Sequence, residues 1–439
     1  MIKWRVIPAI IATAVLSFAG VLIETSMNVT FPTLMSEFGV DAAAIQWVTT
    51  GNLLAVAVTV PLSAYLIKRF SERRLFLLAN LVFILGVIFD GLSPNLLILL
   101  LGRILQGVGT GLALPLMIHM IMTRVAKEKQ GFIMGLATMT TSLAPALGPT
   151  YGGLVLDAFG WHAIFSFLLP VLVLSALVGL MSIPQEERNS RATFNVSAFI
   201  FLTLGLAASL LAIEKMSLLW LLLAVVALLI FYRFNRKPLI RLAVLKNSAF
   251  FSLTMVVLAF QMMALGLSFV LPNHLQLGLG LSSSQAGFFM FPGAILVAVI
   301  LPISGLVYDK VGGKLPISTG IVISLLGLLI MSVFFKAADA NLLLICDIIA
   351  LAGAGIASGN GTTMALSQLN QEDLTDGNSI LSTLQQFSGA LSTALVSQLF
   401  TLGQKQGSIA LGGQLGIYLL LVVMILALLF FLKSFTSKR

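Results

Sequence analysis

Apolar residues gather along this chain in long unbroken runs, without the alternation of a half-buried strand, and the runs are separated by short clusters of Lys, Arg, Gly, Pro and Asn. A run of about 20 apolar residues is what an α-helix needs to cross the hydrocarbon of a bilayer. Fourteen such runs can be placed, at residues 7–33, 45–66, 75–92, 95–123, 131–156, 161–183, 195–213, 217–232, 249–272, 285–308, 316–335, 341–366, 378–402 and 414–433. The pattern predicts an all-α polytopic membrane protein. The first run follows Lys3 and Arg5, contains Glu24, and is longer than a signal-peptide core, so it is read as a retained span.

The pattern also repeats. Pro61-Leu62-Ser63-Ala64 through Gly86 returns as Pro302-Ile303-Ser304-Gly305 through Gly327 at an offset of 241, and Asn95, Gly107 and Gly109 return as Asn341, Gly353 and Gly355 at an offset of 246. Duplication of this kind predicts two related six-helix bundles about an axis along the membrane normal, with substrate met near the midplane. Runs seven and eight have few polar residues and no counterpart in the repeat, so they are expected as an insert. The expected division is residues 1–190 for the first bundle, 191–240 for the two inserted helices and 241–439 for the second bundle.

Composition excludes the other broad classes. Hydrophobic residues make up 59% and charged residues 9% of the chain, against about 25% charged in an ordinary soluble domain. The net charge of +9 needs no nucleic acid to explain it. With the amino terminus inside, only Lys215, Lys336, Lys405 and the intramembrane Arg103, of 25 Lys and Arg, fall away from the inner segments. Cationic inner loops beside anionic lipid account for the rest, and both termini are expected in the cytoplasm. One cysteine, Cys346, three histidines and no HExxH pattern leave no signature for a metal or a cofactor. Asp309 follows Tyr308, but it lies in a loop and has no Gly-x-Gly-Asp partner, so an intramembrane protease is not supported and no enzyme is expected.

Candidate chemistry sits where polar groups interrupt apolar runs. Arg103 and Glu24 each lie about nine residues from the outer end of their runs, hence both about 13 Å deep at 1.5 Å per residue. A guanidinium or a carboxylate at that depth is expensive and points to function, and equal depth predicts that the two pair as a proton switch. Asp347, near the repeat of Arg103, is the second intramembrane acid, a candidate for a second proton or for the cationic part of a substrate. Asp90 and Asp157 fall near run ends and read as solvated caps. Polar or amphipathic positions that would line a pathway are Asn28, Gln46, Trp47, Asn52, Gln106 and Gln261.

On four blocks the chain resembles the major facilitator superfamily, and within it the fourteen-span drug:proton antiporters. Leu22 to Pro32 is similar to the family's first-span motif, with Glu24 where Asp is usual; Arg103-Ile104-Leu105-Gln106-Gly107 is similar to its fourth-span motif. Gly135, Ala144, Gly148-Pro149 and Gly152-Gly153 resemble the fifth-span antiporter motif, with Ala144 in place of one glycine. The fourth block is a loop motif, G-x-L-A-D-R-x-G-R-R. Its first copy has Lys68 in place of the acid, followed by Arg69 and Arg73; its second keeps Asp309 and Lys310. The resemblance implies two six-helix bundles plus two extra central helices, alternating access, and a cytoplasmic latch whose acid has moved to Asp309. It also implies export of amphipathic, often cationic drugs in exchange for protons by a monomer in the bacterial inner membrane. Export of one dedicated metabolite or lipid-linked substrate remains the alternative.

Overall fold

The computed structural model describes residues 4–40, 42–186, 194–215, 217–235, 241–281, 283–336 and 339–436; at some helical positions, Asn28, Gln46 and Pro149 among them, only the backbone is described. The described residues are helical almost throughout. In order the helices are α1 (Val6–Phe38), α2 (Ala42–Arg69), α3 (Glu72–Gly91), α4 (Leu96–Arg124), α5 (Gln130–Phe159), α6 (His162–Ser166) and α7 (Leu169–Ser182). They continue as α8 (Val196–Glu214), α9 (Leu218–Phe234), α10 (Ser248–Asn273), α11 (Ser283–Val311), α12 (Lys314–Phe334), α13 (Ala340–Leu366), α14 (Leu374–Lys405) and α15 (Ile409–Thr436). Among the described residues eleven spans are long and apolar enough to cross a membrane, α6 and α7 together forming one of them; α9 is a shorter apolar helix. The 30-residue α5 and 32-residue α14 are long helices outside that set.

The chain forms two compact units. Unit 1 holds residues 1–124, 144–241 and 378–383, and unit 2 holds 125–143, 242–377 and 384–439. The helix pair α8 and α9 belongs to unit 1; the two pack on each other, and α8 packs on α2. Leu218, Leu221, Leu222, Val225 and Leu229 on α9 are exposed, as expected of side chains that meet lipid.

Glycine explains the tightest seams. A methyl group at Gly86 of α3 would lie 2.6 Å from the carbonyl oxygen of Gly102 on α4, and one at Gly109 would lie 2.7 Å from Cβ of Phe83, so α3 and α4 meet backbone to backbone. Unit 2 repeats the device: a methyl at Gly327 of α12 would lie 2.6 Å from the Ala350 nitrogen of α13, and Gly353 abuts Gly320 and Ser324. Ser324 also donates to the Ala350 carbonyl at 2.8 Å. The internal repeat in the sequence therefore corresponds to two equivalent helix pairs.

The α5 glycines divide in the same manner. In unit 2, Gly131 and Gly135 meet α11 at Gly305 and Leu301; in unit 1, Gly148 meets Thr25 and Gly152 meets Ser26, both on α1. Ser26 donates to the Gly148 carbonyl at 2.9 Å, fixing that second contact. Gly153 is half-buried beside it.

Candidate functional site

The centre of unit 1 is Arg103, fully buried on α4. Its Nε donates to the Val48 carbonyl of α2 at 3.1 Å, and Nη1 donates to Oε1 of Gln106 at 2.6 Å. Gln106, one turn along the same helix face, turns its amide nitrogen to Oδ2 of Asp90 on α3 at 2.7 Å. Asn52 of α2 donates to the Arg103 carbonyl at 2.8 Å. Asp90, Gln106 and Asn52 are all buried, so a chain of charge-assisted bonds runs from α2 through α4 to α3, shielded from water.

The local sequence makes this possible. Gly102 leaves room for the Asp90 carboxylate, which a methyl there would strike, and Gly107 lets the Asn52 backbone approach to within 2.5 Å of where a methyl would stand. Gly20 on α1 meets Thr110 on α4, and Glu24 lies one turn beyond Gly20 on the same face. Neighbouring spans alternate in direction, so that turn brings Glu24 toward Arg103. The Arg103 guanidinium lies in the field of both Asp90 and Glu24.

Several sequence expectations are modified here. Asp90 is not a solvated cap; it has no exposed surface, because the seam at Gly86 and Gly102 encloses the end of α3. Asp157 is exposed. The direct Glu24–Arg103 ion pair is not formed among the described residues: Arg103 donates from Nε to Val48 and from Nη1 to Gln106, and Glu24 acts on it through space. Asn52 and Gln106 are engaged in holding Arg103. Trp47 is exposed, Gln261 is half-buried near Gly389, and the side chains of Asn28, Gln46 and Pro149 lie outside the described residues.

Unit 2 carries Asp347 on α13, fully buried, with neither carboxyl oxygen hydrogen-bonded among the described residues. It faces α11, where a methyl at Gly293 would lie 3.1 Å from its Oδ2. At the repeat offset of 241, Gly293 corresponds to Asn52, so the position that braces α4 in one unit gives space to an acid in the other. Since Asp347 has no partner to strand, Asp347→Asn is expected to leave the melting temperature of the purified protein unchanged; a marked fall would reveal a structural role for the carboxylate.

The motif expected in a loop lies largely within helices, Asp309 in the last turn of α11 and Arg69 at the end of α2, and it has two outcomes. In unit 2, Asp309 accepts from the backbone nitrogens of Gly131 at 2.9 Å and Phe132 at 3.0 Å, so one carboxylate satisfies two of the orphan donors that begin α5. Lys310 next to it is exposed. In unit 1, Arg69 is exposed and Arg73 half-buried, while Glu72, between Ser71 and Arg73, does what sequence reasoning missed. Glu72 is buried and pairs with Arg124 at 2.9 Å; Arg124 also pairs with Glu186 at 2.7 Å and stands 4.6 Å over the Trp4 ring. Trp4 donates to Glu186 at 2.6 Å. The available signal was an acid at the first position of a helix, immediately after its Ser71 cap.

Two buried carboxylates, a buried guanidinium and glycine-thinned helices suit a protein that moves a solute through a bilayer. Residues 13–393 match the family described as the Major Facilitator Superfamily, and the chain belongs to that family of transporters. It is 30% identical to the lincomycin resistance protein LmrB of Bacillus subtilis over 92% of this chain and 87% of that one. It is 26% identical to a multidrug resistance protein B homolog of Mycobacterium tuberculosis, covering 86% of this chain and 73% of that one. Its fold is similar to that of the proton:xylose symporter XylE, with a TM-score of 0.69 and 16% identity over 97% of this chain and 95% of that one.

Proposed function

We propose that this protein is a proton-coupled antiporter that exports amphipathic, often cationic drugs across the bacterial cytoplasmic membrane by alternating access. The observation that carries proton coupling is the buried Arg103 with Glu24 in its field and its own hydrogen bonds made elsewhere. Glu24 is then free to gain and lose a proton as its distance from the guanidinium changes. The drug class is supported by relatives named for lincomycin and multidrug resistance that align over most of the chain. In this reading α5 and α14 also cross the membrane, giving fourteen spans with α8 and α9 as the extra pair, both termini are cytoplasmic, and the protein works as a monomer. Protonated Glu24 accompanies the return of the empty carrier, and Asp347 takes a second proton or the positive end of the drug. Asp309, by binding and releasing the first turn of α5, acts as the latch.

The test is transport into inverted membrane vesicles. An imposed pH gradient is expected to drive accumulation of ethidium, norfloxacin or lincomycin, and a protonophore to collapse it. Accumulation indifferent to the protonophore removes proton coupling. Movement of one metabolite, with no drug moved, replaces the drug reading by a dedicated exporter.

A further inference from the structure

Asp90 belongs to none of the sequence blocks, yet its carboxylate is the far end of the Arg103 network. We propose that Asp90 is a second proton-binding carboxylate, sharing one proton with Glu24 across the Arg103 guanidinium. This rests on the proton-coupled reading and adds a site to it.

The geometry is that of an open bridge. A carboxamide can join a guanidinium to a carboxylate without titrating, accepting with its oxygen and donating with its nitrogen, and Gln106 does both, toward Arg103 and Asp90. Among the described residues the bridge leaves one buried atom unpartnered at each end, Nη2 of Arg103 and Oδ1 of Asp90. A closed structural ion pair would satisfy both. Here Oδ1 accepts no hydrogen bond that a proton on it would displace, and Nη2 remains available to a second acceptor.

Arg103 contributes one positive charge, and Asp90 and Glu24 one negative charge each when ionised, so the three groups together are neutral when they hold one proton. Either carboxyl can hold it, and two acids facing one guanidinium titrate as a pair. Protonating Glu24 leaves Asp90 to balance Arg103; drawing Arg103 to Glu24 hands the proton to Asp90. Around Asp90 the facing groups are Arg103 and Gln106 on α4, Glu24 on α1 through Arg103, and His162 on α6, whose ring nitrogen lies 3.4 Å from the Ser93 carbonyl in the turn after α3.

The experiment uses the full protein in proteoliposomes, with ethidium as probe and an imposed pH gradient across a range of pH. Asp90→Asn keeps the side-chain shape and an oxygen for the Gln106 amide. It is expected to lose gradient-driven accumulation about tenfold or more and to shift the pH midpoint of what remains by about one unit, and Asp90→Glu is expected to recover accumulation. Wild-type accumulation with a wild-type midpoint in Asp90→Asn overturns the proposal. So does a fall in melting temperature alone, with the pH profile of the folded fraction unchanged, since that is the signature of a brace. Should Asp90→Asn fail to fold, Asp90→Ser, which keeps an oxygen acceptor without a titrating group, is read in its place, and wild-type accumulation with a wild-type midpoint there overturns the proposal equally. Glu24→Gln is the comparator: accumulation retained in that variant defeats proton coupling itself, whereas accumulation lost there but intact in Asp90→Asn defeats only the role of Asp90.

Discussion

Glu24→Gln is expected to abolish the driving of ethidium by a pH gradient in inverted vesicles while leaving folded protein in the membrane. The two side chains have nearly the same shape, and only the acid can carry a proton. The fold should tolerate the change because Arg103 does not depend on Glu24 for its hydrogen bonds: Val48 and Gln106 accept from it, and Asp90 stands at the end of the bridge. Removing the Glu24 charge therefore leaves the guanidinium compensated. Gradient-driven transport at the wild-type level in this variant removes Glu24 from the mechanism.

Arg103→Met is expected to fail in the opposite manner, by loss of the fold. Methionine fills much of the same space without a charge, so the variant leaves the Val48 carbonyl and the Gln106 amide oxygen without their donor and Asp90 without its balancing charge, all in a region with almost no exposed surface. Removing one partner of a buried ionic network costs about 3–5 kcal/mol, a large part of the roughly 5–15 kcal/mol that holds a folded domain together. Low yield and a lowered melting temperature in size-exclusion and thermal-shift assays are the expected readout. Arg103→Met combined with Asp90→Asn should recover folded protein, because the stranded charge is gone, and should still not transport. A wild-type melting temperature in the single variant contradicts this account of the network.

Most helices were legible in the sequence because a membrane span declares itself by length and apolarity, and the repeat of Pro, Gly and Asn located the paired seams. Arg103, Gln106 and Asn52 stood out as polar groups in apolar runs. Their partner Asp90 did not, since a carboxylate at the end of a span is ordinarily wet, and only the approach of α4 at Gly102 encloses it. Glu72 was hidden for a related reason: it sits among Lys68, Arg69, Arg73 and Arg74, where a charged surface loop is the ordinary explanation, and its partner Arg124 is 52 positions away. The division of α5 between two units has no local signal, because nothing in a continuous helix marks where its neighbours change.

The glycine seams have a mechanical consequence. Where α3 meets α4, and where α12 meets α13, glycine lets backbone approach backbone, and the side chains enclosed there, Phe83, Gln106 and Ser324 among them, are tightly held, so there is little compliance for sliding. Each pair should move as one stiff stave. A shift of one helix past its mate would have to jump a whole turn of about 5.4 Å to find glycine opposite backbone again, and in unit 1 it would tear the Gln106–Asp90 bond on the way. Bending and sliding are thereby confined to contacts padded with side chains, and the guanidinium rides on a stave whose geometry toward Asp90 stays fixed.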